Sequence, residues 1–499
     1  MNRRNFLLSG LALACAQAFG MEMDHHAKLV IKGGNAFVPP ANIRLPVGQP
    51  LRALPRLANQ TKEAGVFKAK LVAAPATLEL VRGHKTQAWA YNGQLPGPAI
   101  EIAAGSRVEI EFENHLPQAT TVHWHGLPVP ADQDGSPHDA VQPGGSRLYQ
   151  FTLPADFSGT FWYHPHPHDD TAEQVFRGLA GAFVVRDPKD PLAHLPEQWL
   201  LISDLRLDKS AQIPANTLAD WADGREGQFV LINGQWRPAV AMAPGSLNRI
   251  RIWNACSARY LRLALPGARL FVVGTDGGLI AAPYEVREWL LAPAQRVELL
   301  IEMPMAAKGN KLTLLAEPYK RGRMATPEQK RALPLADVVL TGEKVATPAM
   351  PEKLREIPPL PEPTSSKRIV FSEEMGEVRS PKDFGFLINS KRYEHDRIDF
   401  VSVVGETELW EVINGSNMDH PFHLHGVQFQ VVATVRQGDA ISPPFLSWQD
   451  TINVAHAERV RLKVRQDHPG LRMLHCHILE HESLGMMANL MVNAAPTPA

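Results

Sequence analysis

The chain has 499 residues, too many for one hydrophobic core, so its length predicts two to four domains. A net charge of −1 at pH 7 gives no reason to expect nucleic acid or an anionic membrane surface as a partner. The 42 prolines, the 36 glycines and many short alternating apolar runs favour strands joined by turns over helix bundles. We therefore predict an all-β protein.

The chain opens with MNRRNFLLSGLALACAQAFG, which has the layout of an export signal. Arg3 and Arg4 precede a moderately apolar stretch, and an Ala-Gln-Ala cleavage site follows it. We predict a signal peptide over residues 1–18 that resembles the twin-arginine type and sends the mature protein to the periplasm without a membrane anchor. The alternative is a fortuitous basic start on a cytosolic chain. Cys15 is a poor lipidation candidate, because alanine stands where a lipobox usually has leucine.

Three stretches follow one plan: an Asn-Gly or Asn-Ser turn, a polar step, then an alternating strand that ends in asparagine. They are residues 88–116, 229–256 and 386–416, whose strands read VEIEFEN, RIRIWN and LWEVIN. Alternation marks half-buried strands. Three copies spaced by about 140 to 160 residues predict three repeats of one β-sandwich domain.

Polar, proline-rich joints set the predicted boundaries of these domains. We place domain 1 at residues 65–190, domain 2 at residues 196–345 and domain 3 at residues 368–495. Residues 346–367 (ATPAMPEKLREIPPLPEPTSSK) indicate an extended linker before domain 3. Helical periodicity is weak throughout, and residues 155–158 and 326–333 are the short helix candidates.

Ten of the 20 histidines fall into four clusters near the two ends of the chain. The clusters are HWH at 123–125, HPH at 164–166, HPFHLH at 420–425 and HCHILEH at 475–481. Side chains i and i+2 of a strand share a face, so four pairs point together. The pairs are His123 with His125, His164 with His166, His423 with His425, and His475 with His477. One such pair is usually incidental, but four together supply eight imidazoles and predict a site for several metal ions.

Cys476 sits between two of these histidines, so alternation turns its sulfur to the opposite face of the strand. With His481 and Met486 it forms a Cys-x4-His-x4-Met pattern, and His420 is a free imidazole nearby in sequence. Two imidazoles, a thiolate and a thioether are the ligands of a blue-copper electron-transfer centre. Zinc fits less well, since it has no redox role and structural zinc sites usually lack methionine. The alternatives are core packing for Met486 and an inert buried thiol for Cys476.

This arrangement implies a path for electrons. A few covalent bonds join the Cys476 sulfur to the imidazoles of His475 and His477. An electron can therefore pass from a single copper to the metal cluster without crossing solvent. Such a connection is what the four-electron reduction of O2 requires.

The sequence resembles the three-domain multicopper oxidases, the family of laccases, ascorbate oxidase and bacterial copper-resistance oxidases. The resemblance covers about residues 65–493 and rests on four motifs: HWHG, WYHPH, HPFHLHG and HCHILEHESLGM. It implies three cupredoxin-like Greek-key β-sandwiches and four copper ions, one of type 1, one of type 2 and two of type 3. The implied ligands are His420, Cys476, His481 and Met486 for type 1; His123 and His423 for type 2; His125, His164 and His477 for one type 3 ion; and His166, His425 and His475 for the other.

Two acids match the family's proton-handling positions. Asp134, in the DQDG stretch after HWHG, matches an acid near the type 2 copper, and Glu482, directly after His481, matches one near the type 3 pair. Reducing O2 to water consumes protons, which gives acids beside the cluster a chemical role. The alternative for each is a solvated acid in a turn.

The resemblance also implies that donors deliver electrons at the edge of a type 1 histidine. We predict a laccase-like oxidase of phenols or aromatic amines, and the alternative is a periplasmic Cu(I) oxidase that serves copper tolerance. Bacterial cuprous oxidases often carry a Met-rich insert where residues 371–386 of this chain hold one methionine, Met375, which weakens that alternative. Met418 and Asp419, beside His420, are the local candidates for contact with a metal donor.

A remoter alternative is a non-catalytic relative that keeps the cupredoxin domains for cell-envelope interactions. Such a chain should have lost copper ligands, and this one lacks none of them. For the predicted oxidase we expect O2 and a small phenolic or Cu(I) electron donor as partners, and a monomeric state.

Overall fold

In the computed structural model the chain forms three β-sandwich domains of the cupredoxin type, and the structure describes residues 30–31 and 36–495. The all-β prediction with three cupredoxin-like sandwiches is confirmed. The predicted signal peptide, residues 1–18, lies outside the described residues. Within the described ranges no helix is both long and apolar enough to cross a membrane.

Domain 1 packs a four-stranded sheet against a three-stranded sheet. After the two-residue strand β1 (Val30–Ile31), its strands are β2 (Val66–Val81), β3 (His84–Tyr91), β4 (Gly97–Ala103), β5 (Arg107–Asn114), β6 (Ser146–Thr152), β7 (Gly159–Tyr163) and β8 (Gly181–Arg186). The strand orders are β3-β2-β5-β6 and β4-β8-β7. The predicted strand VEIEFEN lies in β5, which alternates buried and more exposed side chains. Phe112, Trp124 and Tyr149 fill the space between the sheets.

Domain 2 has a seven-stranded and a five-stranded sheet. Its strands are β9 (Glu197–Leu205), β10 (Phe229–Ile232), β11 (Gln235–Trp236), β12 (Ala239–Met242), β13 (Leu247–Asn254), β14 (Leu261–Ala264), β15 (Arg269–Thr275), β16 (Gly278–Val286), β17 (Glu288–Leu291), β18 (Arg296–Glu302), β19 (Lys311–Glu317) and β20 (Leu333–Leu340). The orders are β11-β10-β9-β13-β18-β15-β16 and β12-β20-β19-β14-β17. Between β20 and residue 365 the chain forms neither helix nor strand.

Domain 3 has a six-stranded and a five-stranded sheet. Its strands are β21 (Ser365–Glu374), β22 (Glu377–Val378), β23 (Gly385–Ile388), β24 (Phe400–Val403), β25 (Thr407–Asn414), β26 (His420–Leu424), β27 (Gln430–Arg436), β28 (Asp439–Ile441), β29 (Thr451–Val454), β30 (Arg459–Arg465), β31 (Gly470–Cys476) and β32 (Met487–Asn493). The orders are β23-β21-β25-β30-β27-β28 and β24-β32-β31-β26-β29, while β22 pairs with β1. Adjacent strands β26 and β31 both carry predicted ligands.

The asparagines of the three sequence repeats make the same contacts in each domain. Those that end a strand are buried, and each donates both side-chain N–H groups to main-chain carbonyls at 2.7 to 2.9 Å. They are Asn114, Asn254 and Asn414. Those in the turns have positive φ, and the side-chain amide of each both accepts a main-chain N–H from one neighbouring strand and donates to a main-chain carbonyl of the same strand. They are Asn92, Asn233 and Asn389. Asparagine tolerates this backbone region better than most residues. The asparagines repeated in the sequence therefore occupy equivalent structural positions in the three domains.

The described residues include three short α-helices: α1 (Thr171–Phe176), α2 (Leu218–Asp223) and α3 (Leu479–Ser483). Both helix candidates from the sequence are wrong, because residues 155–158 form a turn and residues 326–332 form a loop that leads into β20 at Leu333. In the second case the Asp223 carboxylate accepts the main-chain N–H groups of residues 324–326 and so satisfies them outside a helix. Helix α3 packs between α1 of domain 1 and α2 of domain 2.

Candidate metal centre

Eight histidines from the four predicted clusters converge where domains 1 and 3 meet, and all of them are fully buried. In domain 1, His123 and His164 face each other across an isolated β-bridge. In domain 3, His423 and His475 are paired across β26 and β31. Rings from the two domains interleave, since His125 stacks on His423 with 3.8 Å between ring centroids. The two domains therefore enclose one cluster of imidazoles.

The ring nitrogens of this cluster form three sets whose atoms lie within 4.8 Å of one another. The sets are His123, His125 and His423; His125, His164 and His477; and His166, His425 and His475. The second and third coincide with the two expected type 3 sets, and the first contains the expected type 2 pair. Each set mixes residues of domains 1 and 3, so the cluster forms only when the two sandwiches pack together.

The state of these rings fits a bound metal. Both ring nitrogens of His477 and Nδ1 of His166 are buried without a hydrogen-bond partner. An unpaired buried polar atom is costly, and a metal ion supplies the missing partner. Burial holds the pKa values of His125 and His164 far below the ordinary value and lowers that of His475 to about 3. These three imidazoles are therefore neutral, which is the form that binds copper.

A second group of predicted ligands lies on the other face of β31. Cys476 Sγ is 3.3 Å from His420 Nδ1, and His481 Nδ1 is 3.4 Å from the same nitrogen. Met486 is buried beside them, and its main-chain carbonyl accepts the N–H of Cys476 at 3.0 Å. His475 faces the imidazole cluster while Cys476 faces this group, as strand alternation predicts. Burial raises the pKa of the Cys476 thiol, so its thiolate needs a cation beside it.

Asp134 is buried against the imidazole cluster. Its Oδ2 accepts a hydrogen bond from His425 Nδ1 at 2.9 Å, and Arg472 Nη1 lies 3.7 Å from the same oxygen. Burial alone would raise the pKa of Asp134, but His123 and Arg472 outweigh it and hold the pKa below its usual value. Asp134 is therefore an ionised acceptor that orients the ring of His425.

Glu482, on α3, is the second acid beside the cluster. Its oxygens lie 3.2 Å from His475 Nδ1 and 3.5 Å from His166 Nε2. Burial raises the pKa of Glu482 to about 8, so at neutral pH this acid holds a proton. The two predicted acids thus sit at the cluster in opposite protonation states.

The outer edge of the His481 ring is covered by domain 2. His481 Nε2 donates to the main-chain carbonyl of Ala222 in α2 at 3.1 Å, and Phe386 stacks on the ring with 3.9 Å between centroids. Helix α2 is itself held in place, because Arg206 makes a two-bond ion pair with Asp220 at 2.6 and 2.7 Å. This imidazole therefore has no edge open to solvent.

His420 is shielded as well. Its Nε2 lies 2.7 Å from Ser416 Oγ and 3.2 Å from Glu373 Oε1.

The structure leaves neither Met418 nor Asp419, the two residues suggested for contact with a metal donor, free to bind a metal. Met418 is fully buried in the core of domain 3, and the Asp419 carboxylate accepts hydrogen bonds from a tyrosine hydroxyl, an asparagine amide and a main-chain N–H.

Three features around the predicted ligands were not predicted from the sequence: helix α2 over His481, Asp450 beside His125, and Arg296 of domain 2 behind Asp450. Asp450 Oδ1 lies 3.0 Å from His125 Nε2, and Arg296 Nη1 lies 2.7 Å from Asp450 Oδ1. The one signal was weak. An arginine opens β18, whose side chains are almost all buried, and a buried charge usually has a partner.

Three cupredoxin-like sandwiches, a buried Cys-His group and an adjoining imidazole cluster define the class of copper oxidoreductases that use O2 and an electron donor. Sequence profiles of the multicopper oxidases match residues 73–190, 197–332 and 362–496. The chain belongs to the multicopper oxidase family.

Individual relatives cover nearly the whole chain. A multicopper oxidase of Staphylococcus aureus is 30% identical over 447 residues, which is 88% of this chain and 91% of that protein. The structure of a Campylobacter jejuni multicopper oxidase, described as a metallo-oxidase, is 47% identical with a TM-score of 0.86, over 92% of this chain and 99% of that one. The structure of a laccase from Pediococcus acidilactici is 30% identical with a TM-score of 0.78, over 90% and 95% of the two chains.

Proposed function

We propose that this enzyme reduces O2 to water at a trinuclear copper centre held by the eight clustered histidines, with electrons entering through a type 1 copper held by His420, Cys476, His481 and Met486. We further propose that its donor is a low-valent metal ion such as Cu(I). The single observation that carries the choice of donor is the enclosure of both type 1 imidazoles, which have no exposed surface.

Copper, when bound, supplies the one-electron redox chemistry that the side chains lack. The chain keeps the two ligand groups apart yet joined. Cys476 and its neighbours His475 and His477 are consecutive residues, so a short covalent path links the sulfur to both type 3 sets. All three residues are fully buried, which excludes water from that path.

The two acids have complementary tasks in this proposal. Glu482 holds a proton at neutral pH beside His475 and His166, where oxygen reduction needs protons. Asp134 keeps a negative charge against His425 and fixes the orientation of that ring.

An enclosed type 1 site favours a small donor over a flat aromatic one. A phenol would have to displace α2 or Phe386 to reach the His481 ring. A metal-ion donor needs only ligands at the protein surface, beside the segments that cover the two type 1 imidazoles. The C. jejuni metallo-oxidase, which shares 47% of its residues with this chain, supports the same choice.

Two half-buried methionines provide such ligands. Met324 donates its main-chain N–H to Asp223, the residue after Ala222 on α2, at 2.7 Å. Met375 follows two residues after Glu373, whose carboxylate lies 3.2 Å from His420 Nε2. Both side chains are partly exposed and pack against the domain 3 core. Thioether sulfur is a soft ligand that suits Cu(I).

The second candidate is a laccase-like oxidase of phenols or aromatic amines. The Pediococcus laccase, similar over 90% of this chain, favours it, and so do the half-buried apolar side chains of Leu218 and Trp221 on α2.

Export through residues 1–18, a role in copper tolerance and a monomeric state stay predictions from the sequence.

Steady-state oxidation of chelated Cu(I) and of a phenol, each with and without added free copper, tests the donor. We expect Cu(I) to be oxidised with the higher kcat/KM and the phenol to need free copper. In the double variant Met324→Leu, Met375→Leu the KM for Cu(I) should rise about tenfold, a typical cost of losing supporting ligands at a metal site.

Met305→Leu is the matched control, because Met305 is an exposed methionine of domain 2 outside the type 1 region. It should leave the KM for Cu(I) unchanged. Efficient phenol turnover without free copper, together with slow Cu(I) oxidation, would overturn the proposal of a metal-ion donor and support the laccase-like function.

Glu482→Gln tests the proton role. After anaerobic reduction and mixing with O2, we expect the variant to be reoxidised about 100-fold more slowly, because the amide cannot donate the proton. Its reduction by the donor should stay normal, since Glu482 faces the imidazole cluster. Glu480→Gln is the control: Glu480 lies on the same helix, is equally buried and contacts Asn216 of domain 2 instead. Wild-type reoxidation in Glu482→Gln would remove Glu482 from the proton path.

A further inference from the structure

Asp450 lies where the three domains meet, immediately before β29, and is fully buried. Its Oδ1 accepts a hydrogen bond from Nε2 of His125 at 3.0 Å. Its main-chain carbonyl accepts one from Nδ1 of His423 at 2.9 Å. One residue thus contacts an imidazole of domain 1 and an imidazole of domain 3.

These two hydrogen bonds decide which nitrogen of each ring carries the proton. A proton on Nε2 of His125 leaves the lone pair on Nδ1, which lies 3.3 Å from Nε2 of His164. A proton on Nδ1 of His423 leaves the lone pair on Nε2, which lies 3.4 Å from Nε2 of His123. In both rings the nitrogen that faces the cluster is the one left free for a metal.

Within the described residues, domain 2 supplies no member of the ligand groups, yet two of its buried side chains position Asp450. Arg296 does so directly, and Asp276 does so through the main chain of Arg296 and Thr451. Arg296, the first residue of β18, donates from Nη1 to Oδ1 at 2.7 Å and from Nη2 to Oδ2 at 2.5 Å. Asp276 accepts the main-chain N–H of Arg296 at 2.7 Å and that of Thr451 at 3.3 Å. A two-bond guanidinium–carboxylate pair fixes the rotation of the carboxylate.

Domain 1 closes on the same ion pair. Gly126, the glycine of HWHG, has a φ of +84°, and a Cβ there would clash with the carboxylate of Asp450 and the guanidinium of Arg296. Gln428 donates to the carbonyl of Gly126 at 2.9 Å and to Oδ2 of Asp450 at 2.7 Å. Both oxygens of Asp450 are therefore engaged, and the carboxylate has one orientation.

A buried ion pair such as this one is weak evidence of a contribution to stability. Desolvation offsets much of the attraction between buried charges, and apolar replacements are often neutral or stabilising. A fixed carboxylate does something an apolar group cannot do, since it sets the tautomer and the direction of a metal-binding imidazole.

We propose that Arg296 and Asp276 of domain 2 are positioning residues of the trinuclear centre. They act through Asp450. The ion pair with Arg296 orients the Asp450 carboxylate, which holds His125 with Nδ1 toward copper. Asp276 accepts the N–H of Thr451 and so positions the peptide whose carbonyl, that of Asp450, holds His423 with Nε2 toward copper. This inference rests on the proposed function, and it assigns domain 2 a role in the oxygen-reducing cluster as well as in covering the type 1 site.

The test uses the full-length enzyme with Arg296→Met and Arg296→Lys. We expect Arg296→Met to bind cluster copper about 10- to 100-fold more weakly, with an altered type 2 electron paramagnetic resonance signal and a raised KM for O2. The blue absorption of the type 1 centre should stay as in the wild type. Arg296→Lys should recover part of the affinity, because it restores the charge without the two-bond geometry. Copper per chain is measured after dialysis against chelators of graded strength.

Arg249→Met is the matched control. Arg249 is an equally buried arginine of domain 2, on β13, paired with Glu298 at 2.6 Å and without contact to any of the ligands. It should keep the wild-type cluster signal. Should Arg296→Met fail to fold, the nearly isosteric Asp276→Asn provides the second test, with the same signature expected at a smaller size.

Three results separate the possible failures. Wild-type copper affinity and signal in both Arg296→Met and Asp276→Asn would overturn the inference. Equal loss of type 1 and cluster copper in the Arg296 and Arg249 variants would also overturn it, since that pattern means general destabilisation. A wild-type enzyme that holds only type 1 copper would contradict the proposed function itself.

Discussion

In Cys476→Ser we expect the blue colour of the protein to vanish and donor oxidation to fall to background, while the fold and the imidazole cluster persist. The thiolate is the ligand that makes a blue-copper centre, and serine cannot replace it. Because Cys476 faces away from the eight histidines, the variant should lose about one copper per chain and keep the others. Absorption spectroscopy and elemental analysis of copper measure both effects.

Cys256→Ser is the matched control for this result. Cys256 is the other described cysteine, equally buried, and its Sγ lies 3.8 Å from the carbonyl of Ile202 in domain 2. That variant should keep the colour, the copper content and the activity. If Cys476→Ser also lost the cluster copper, the two ligand groups would not be independent, and the assignment of Cys476 to the type 1 site alone would fail.

In His423→Ala we expect the opposite pattern: a blue centre that the donor still reduces, and O2 consumption lowered by at least about 100-fold, above the usual cost of losing a supporting partner. His423 contributes to the set with His123 and His125 and has no place in the Cys476 group. Anaerobic reduction followed by exposure to O2 separates the two steps. The blue colour should bleach on reduction and fail to return promptly.

His456→Ala is the control, since His456 is an exposed histidine of domain 3 whose Nδ1 bonds only the carbonyl of Ser416. It should return to blue as fast as the wild type. A His423→Ala protein that consumed O2 normally would show that the imidazole cluster is not the oxygen site.

The residues that contact an electron donor could not be predicted from the sequence around His420. Met418 and Asp419 neighbour His420 in the chain, and proximity in sequence made them candidates for contact with a metal donor. In the fold, one packs into the core and the other is saturated with hydrogen bonds. Met324 of domain 2, about a hundred residues earlier in the chain, is tied by its main chain to the helix that covers His481.

The sequence by itself determined the local geometry of the ligands. The pleat of a strand turns the side chain of Cys476 away from those of His475 and His477. Three repeats of the asparagine pattern predicted three β-sandwich domains. These features depend on neighbours a few residues apart, so alternation and turn chemistry are enough to predict them.

Only the tertiary structure decided which histidines come together, what covers the imidazoles of His420 and His481, and what holds Asp450. Those contacts join residues such as His125 and Asp450, which are 325 positions apart. They depend on how three separately patterned sandwiches dock. Buried charges such as Arg296 find their partners only across the interfaces that docking creates, and no periodicity along one strand encodes the partner on another domain.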